Sequence, residues 1–188
     1  VPPLRAFKTL LEPPPPNEAP VAVADSYTTA EDRDLLIGVL PGVAANDFDP
    51  NGGPIVVTPL PVSGPANGTL VLASDGSFTY SPDENFNGVD TFVYELTNED
   101  SLSALGTVTI DVTSVNDAPA PTNDLLTTDN QASVALAEDV FLGNDTDVDG
   151  DSLTIVDVSA PIFGGLTDNG NGSYIYTPRP GFEGLDSF

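Results

Sequence analysis

The residues most able to do chemistry stand at 143–153, "GNDTDVDGDSL", where Asp145, Asp147, Asp149 and Asp151 alternate with small residues. Carboxylates about 5 Å apart repel by under about 1 kcal/mol in water and by several times more near protein. The chain has only 4 basic residues against 29 acidic ones, and Arg179 is the one cation in this half, so basic side chains cannot neutralise the row. A divalent cation can. Hard oxygen ligands at i, i+2 and i+4 followed by a glycine is how a short loop wraps Ca²⁺. Asp145, Asp147 and Asp149 would supply the oxygens, Gly150 the turn and Asp151 a further ligand. The helical version of this loop needs a Glu at its twelfth position, which here is Val156, so the loop belongs between strands and draws its other ligands from elsewhere. Asn116, Asp117 and Asp124 are the candidates. The competing reading is an Asp/Asn/Gly turn held by side-chain-to-backbone hydrogen bonds.

A second, weaker set lies at 45–53, "ANDFDPNGG", with Asp47, Asp49 and Asn51 before Gly52, and Gly53 where the other loop has Asp151. The carboxylate pairs Glu31–Asp32 and Asp83–Glu84 read as exposed loop charge rather than an acid–base couple, because nothing marks a cleft around them. Asp90 and Asp186 each precede an aromatic strand and are expected to bond backbone at a strand corner. "NGT" at 67–69, "NDT" at 144–146 and "NGS" at 171–173 match the N-glycosylation pattern. Asn67 and Asn171 would carry sugar in a secreted eukaryotic protein, and are hairpin turns in a bacterial one.

Several chemistries are excluded by composition. Without cysteine or histidine there is no disulfide framework, no thiolate or imidazole metal site, and no His-activated nucleophile. A formal charge of −25 repels nucleic acid and anionic membranes, and no apolar run reaches the roughly 20 residues of a membrane span. Nucleic acid and direct membrane insertion are therefore not expected. The hydrophobic fraction of 39% still supplies a core. The chain starts at Val1 and has no methionine, which suits a processed product or a piece of something longer.

The elements that must position these residues come in two copies. "NEAP" at 17–20 recurs as "NDAP" at 116–119, "ANDFDPNGG" as "GNDTDVDGD" at 143–151, and "DGSFTYSPDENFNGVDTF" at 75–92 as "NGSYIYTPRPGFEGLDSF" at 171–188. A repeat of about 98 residues is one domain per copy. Within a copy the pattern is β. Seven short runs rich in Val, Thr, Ile and aromatics lie at 21–29, 34–40, 55–60, 69–73, 77–80, 90–96 and 106–115, separated by turn signals. Phe92, Tyr94 and Leu96 share one face, as do Val108, Ile110 and Val112, which marks half-buried antiparallel strands. No stretch has helical periodicity.

The expected fold is all-β: two tandem immunoglobulin/cadherin-like Greek-key sandwiches. The organisation is a proline-rich linker or arm at 1–20, domain 1 at 21–115, a linker at 116–119, and domain 2 at 120–188. Pro13–Pro16 is expected to form polyproline II. Phe188 matches Phe92, so the second copy lacks its last two strands and is C-terminally incomplete. Either it is a fragment or another chain supplies the strands by β-augmentation.

Taken together, "NDAP", "ADSYTTAED" (24–32), "ANDFDPNGG", "GNDTDVDGDSL", "PANGTL" (65–70), "DGSFTYSPDENFNGVDTFVYE" (75–95) and "SVNDAP" (114–119) resemble the tandem cadherin-like and bacterial immunoglobulin-like repeats of large secreted adhesins and surface proteins. That resemblance implies non-enzymatic, extracellular spacer domains, often calcium-binding, whose partners are neighbouring repeats of one long chain. One departure is "TTDNQAS" in the second copy where the first has "TTAEDRD". The alternative is a filament subunit assembled through the proline-rich arm or by strand donation. The four prolines also resemble the hydroxyproline-rich stalks of algal and plant surfaces.

Overall fold

A computed structural model describes residues 16–129 and 132–188. Most of the expected polyproline II run, Pro13–Pro16, lies outside the described residues. The chain divides into two compact units, Val1–Val115 and Asn116–Phe188.

All seven β runs of the first copy form strands: β1 (Asp25–Ala30), β2 (Leu35–Ile37), β3 (Ile55–Val57), β4 (Gly68–Leu72), β5 (Phe78–Pro82), β6 (Gly88–Asn98) and β7 (Ser103–Thr113). One sheet has the order β1-β7-β6-β3 and the other β2-β5-β4. The core lies between them, with Leu72, Phe78 and Tyr80 of the second sheet meeting Val57, Phe92, Tyr94, Leu96, Val108, Ile110 and Val112 of the first. β6 is the spine. Its strict alternation turns Asp90, Phe92, Tyr94, Leu96 and Asn98 inward as one buried row. β7 runs antiparallel to it, setting Phe92 beside Val108 and Tyr94 beside Gly106. A Cβ at residue 106 would lie 2.2 Å from the Tyr94 ring, so only glycine lets that ring lie flat on the neighbouring strand. β1 pairs with β7 in parallel, from Asp25–Val108 to Ala30–Thr113.

The second unit keeps one sheet. β8 (Val134–Leu136), β9 (Gly164–Asp168) and β10 (Tyr174–Pro178) have the order β8-β10-β9, which is the arrangement of β2-β5-β4. The expected shortfall of two strands reaches further than two. The segments matching β1 and β3, at 124–129 and 153–155, form no strand among the described residues. The reason is pairing: in the first unit β1 bonds only to β7 within its sheet and β3 only to β6. Segments whose ladder partners are absent cannot satisfy their backbone groups in a sheet.

A short helix, α1 (Glu138–Leu142), also departs from the all-strand expectation. Five residues are too few to show a 3.6-residue period, and Glu138 and Asp139 place acidic groups in its first turn, where the helix dipole favours them.

Candidate functional site

The two aspartate rows do the same thing in both units, and it is visible residue by residue. In the first unit the segment entering the sandwich runs past the loop 47–51. The Val23 amide donates to Asp47 Oδ1 at 2.7 Å, and the Glu18 amide to Asn51 Oδ1 at 2.7 Å. Between them Val21 and Phe48 exchange backbone bonds of 2.8 and 3.2 Å. In the second unit the Thr122 amide donates to Asp145 Oδ1 at 2.7 Å and the Asp117 amide to Asp149 Oδ2 at 2.7 Å. Ala120 and Thr146 exchange bonds of 2.8 and 3.3 Å between them. Each entering segment is thus clamped at three points. The clamping side chains stand at i and i+4, Asp47 with Asn51 and Asp145 with Asp149, with the bridging Phe48 or Thr146 between them.

The middle aspartate of each row closes the loop. Asp49 Oδ1 accepts the Asn51 amide at 2.7 Å, and Asp147 Oδ1 accepts the amides of Asp149 and Asp151 at 3.0 and 3.3 Å. Its carbonyl then takes the amide of Gly52 or Gly150. Those glycines sit at φ +79° and +78°, a conformation that side chains disfavour. The turn reading of the rows is therefore realised in detail. Amide-to-carboxylate bonds are charge-assisted, which explains how a folded chain tolerates so many adjacent acids.

The surroundings of the two rows differ. In the first unit β6 reaches in from behind. The Tyr94 hydroxyl donates to Asp47 Oδ2 at 2.8 Å and lies 3.3 Å from Asp25 Oδ2, while Asn98 Nδ2 donates to Asp49 Oδ2 at 2.9 Å and to the Glu18 carbonyl at 3.0 Å. Burial, and then the Asp47 charge, push Asp25 up to about 6 against the opposing pull of Tyr94 and Asn46. Burial also raises Asp47, despite its bonds to Val23 and Tyr94. In the second unit Asn116, Asp117, Asp145, Asp147 and Asp151 line one cleft of about 420 Å³. Asp149 joins them through the Asp117 amide, and Asp124 is exposed and off that lining. Asn116 turns its carboxamide to the Asp117 carbonyl at 3.0 Å.

Asp90 and Asp186 hold strand corners as expected. Asp90 accepts the amides of Ala66, Asn67 and Thr91 at 2.8–2.9 Å and the Tyr80 hydroxyl at 3.0 Å. Asp186 takes the amides of Ile162, Phe163 and Ser187 and the Tyr176 hydroxyl at 2.9–3.1 Å. Burial alone would raise both carboxyls, but these donors together hold each below the ordinary aspartate value.

Glu31 is a correction. It is not exposed loop charge but buried, accepting the Val115 amide and the Asn87 carboxamide. A charged group at the end of β1 is solvated by backbone leaving β7, which no local pattern shows. Asp32 accepts the Asn85 amide at 2.9 Å. Of the sequon asparagines, Asn67 leads into β4 with its amide on Asp90, and Asn171 lies in the β9–β10 turn accepting from Ser173. Asp25, Tyr94 and Asn98 were missed by sequence reasoning. Asp25 was within reach, since it stands 99 residues before Asp124, the same offset that relates "NEAP" to "NDAP".

Among the described residues no helix is long and apolar enough to cross a membrane. Residues 17–114 match a family model described as a bacterial cadherin-like domain, and residues 116–188 one described as a bacterial Ig domain. The chain is similar to cadherin domains 1–4 of protocadherin gamma B7, at 19% identity and TM-score 0.43, covering 86% of this chain and 41% of that one. It is similar to the human desmocollin-1 ectodomain at 12% identity and TM-score 0.42, covering 89% and 32%. An endo-fucoidan hydrolase from glycoside hydrolase family 107 is similar at 20% identity and TM-score 0.38, covering 90% and 25%. The chain therefore spans about a quarter to two fifths of the length of these structures. No curated protein sequence matches it significantly.

Proposed function

We propose, for a chain that belongs to the bacterial cadherin-like domain family, the role of a non-catalytic extracellular spacer in a cell-surface adhesin or fibre. Its parts are an arm at 1–20, sandwiches at 21–115 and 120–188, and a linker at 116–119. The observation that supports this is the three-point clamp repeated in both units. A device that fixes the backbone entering each repeat serves a rod built of repeats, and does nothing for turnover of a substrate.

Calcium fits the same residues. The donors are hard oxygens, and the ion takes six to eight of them. A carboxylate offers about four lone-pair sites, so the one amide on Asp145 and on Asp149 and the two on Asp147 leave capacity for a cation. The second row is the better site. Asp145, Asp147 and Asp151 line its cleft with Asn116 and Asp117, whereas both oxygens of Asp47 and of Asp49 already serve protein donors. Asp149 completes the second set through the Asp117 amide and Asn51 the first, while Asp124 stands off the cleft. Bound there, calcium would neutralise the row and stiffen the clamp. The test is thermal unfolding in chelator and in millimolar calcium. At ten times Kd one site adds about 1.4 kcal/mol, so the transition should rise with calcium. Asp147→Asn with Asp149→Asn should abolish the response. Superimposable curves for the unaltered chain would remove calcium from this reading.

A further inference from the structure

Asn-Gly steps are where a chain most readily attacks itself, because the glycine amide reaches the asparagine side chain with no Cβ in the way. The chain has five, at 51–52, 67–68, 87–88, 169–170 and 171–172. Four are tied down. The Gly52 amide donates to the Asp49 carbonyl at 2.9 Å, and the Gly170 amide to Asp168 Oδ1 at 2.7 Å. Asn67 has its amide on Asp90 at 2.8 Å, and its carbonyl accepts the Asp83 amide at 2.9 Å and the Tyr80 hydroxyl at 3.2 Å. Asn87 gives its carboxamide to the buried Glu31 at 3.2 Å.

The fifth is arranged the other way. Asn171 is exposed at the tip of the β9–β10 hairpin, which the Asn169 amide closes on the Ser173 carbonyl at 3.0 Å. Asn171 Oδ1 accepts the Ser173 hydroxyl at 2.7 Å and the Ser173 amide at 3.3 Å. The hydroxyl is aimed by Asn169 Nδ2, which donates to it at 2.9 Å. Two donors thus converge on the oxygen that gains charge when Cγ is attacked. Among the described residues nothing bonds the Gly172 amide. A Cβ at residue 172 would lie 2.9 Å from Glu138 Oε1, so the position suits glycine and the amide stays unhindered. The matching turn of the first unit differs in just this respect. Asp75 Oδ1 accepts the Ser77 amide and hydroxyl at 3.0 and 2.6 Å, but there the Ala73 carbonyl holds the Gly76 amide at 3.1 Å.

We propose that Asn171 is a self-modification site, cyclising with the Gly172 amide and opening in water to a carboxylate. The amide proton goes to hydroxide as the bond from Gly172 N to Asn171 Cγ forms. The electron pair displaced onto Oδ1 returns and breaks the Cγ–Nδ2 bond. Nδ2 takes a proton from water and leaves as ammonia. Water then opens the succinimide at either carbonyl. One product is aspartate, the residue that stands at this place in the first unit. The other is isoaspartate, whose backbone runs through the side chain and lengthens the hairpin tip by a methylene. The reaction consumes only water and is irreversible, so converted chains accumulate with time.

The test incubates the folded, unglycosylated chain in mildly alkaline buffer and follows the asparagines by peptide mapping with mass spectrometry. Asn171 should convert at least about tenfold faster than Asn51 and Asn169, whose attacking amides must first give up a hydrogen bond. The ratio of the Asn171 rate to the Asn169 rate should be higher in the folded chain than in urea. Ser173→Ala should slow Asn171 about threefold to tenfold in the folded chain, the loss of one donor to the charged oxygen, and should leave its rate in urea unchanged. Ser173→Thr keeps the hydroxyl and should keep the folded rate. A ratio that does not rise on folding would overturn the proposal, since the turn would then contribute nothing. So would a folded Asn171 no faster than Asn51 and Asn169, or a Ser173→Thr chain as slow as Ser173→Ala.

Discussion

The two repeats share their corner carboxylate, their clamp and one of their sheets, yet one has a closed core and the other does not. Phe92 is fully buried between its sheets, while Phe188, the same residue of the same motif, is 36% exposed and rests on Tyr176 and Phe141. Local motifs therefore do not make the core. The clamp and the corner form wherever their few residues lie together, because each is a set of charge-assisted bonds to nearby backbone. A core forms only when the spine strand supplies the opposite face.

The largest test of that contrast is truncation at matched positions. Phe92→Ala should cost the first unit about 3–5 kcal/mol. Phe188→Ala should cost the second less, about 2 kcal/mol, because that ring stays 36% exposed. Urea unfolding followed unit by unit through amide exchange separates the two. Equal losses would mean that the second repeat packs as tightly as the first.

Next in size is the corner. Asp90 has a folded value held below the unfolded one, so its stabilisation is complete above pH 4 or so and is lost as pH falls through the depressed folded value. Asp90→Asn should cost about 1.5–3 kcal/mol at neutral pH, from bonds to a charged acceptor. It should also flatten the acid limb of the first unit's stability curve. Asp186→Asn makes the same exchange where solvent competes, and should lose less. An acid limb unchanged by Asp90→Asn would show that the corner carboxylate does not govern acid unfolding.

Those outcomes bear on how much was readable beforehand. Alternation gave all seven strands of the first copy, and a carboxylate before an aromatic strand gave both corners. The clamp was half legible. The row could be seen, but its backbone partners could not, because Glu18 lies 33 residues from Asn51 and only the folded path brings them together. Glu31 was misread for a related cause. An acid in a turn-like stretch looks solvated, and here its solvent is the Val115 amide, 84 residues away. Tyr94 and Asn98 were hidden by their own strand. Period-two alternation assigns Tyr94 to the core without revealing that its hydroxyl reaches a loop, and Asn98 lies beyond the run read at 90–96.

The smallest effect is a substitution that makes the first loop match the second. Asn51→Asp retains an acceptor for the Glu18 amide and adds a charge near Asp47 and Asp49. In chelator it should destabilise the first unit by up to about 1 kcal/mol. Millimolar calcium should reverse the loss, which thermal unfolding would register. A loss that calcium leaves untouched would show that the added charge recruits no cation.

The parallel pairing of β1 with β7 sets how the first unit answers tension. β1 begins at Asp25, near the entering segment, and β7 ends at Thr113, at the far end of the same six-residue ladder. A pull on the two ends therefore draws these neighbouring strands past one another along their length. The rungs from Asp25–Val108 to Ala30–Thr113 are loaded together in shear, and none can be peeled off first as at the mouth of a zipper. The clamp at Glu18, Val21 and Val23 lies in series with that ladder on the entering side. Glu31, holding the Val115 amide, does the same on the leaving side. The first repeat is thus wired as a load-bearing link whose weakest path runs through many bonds at once.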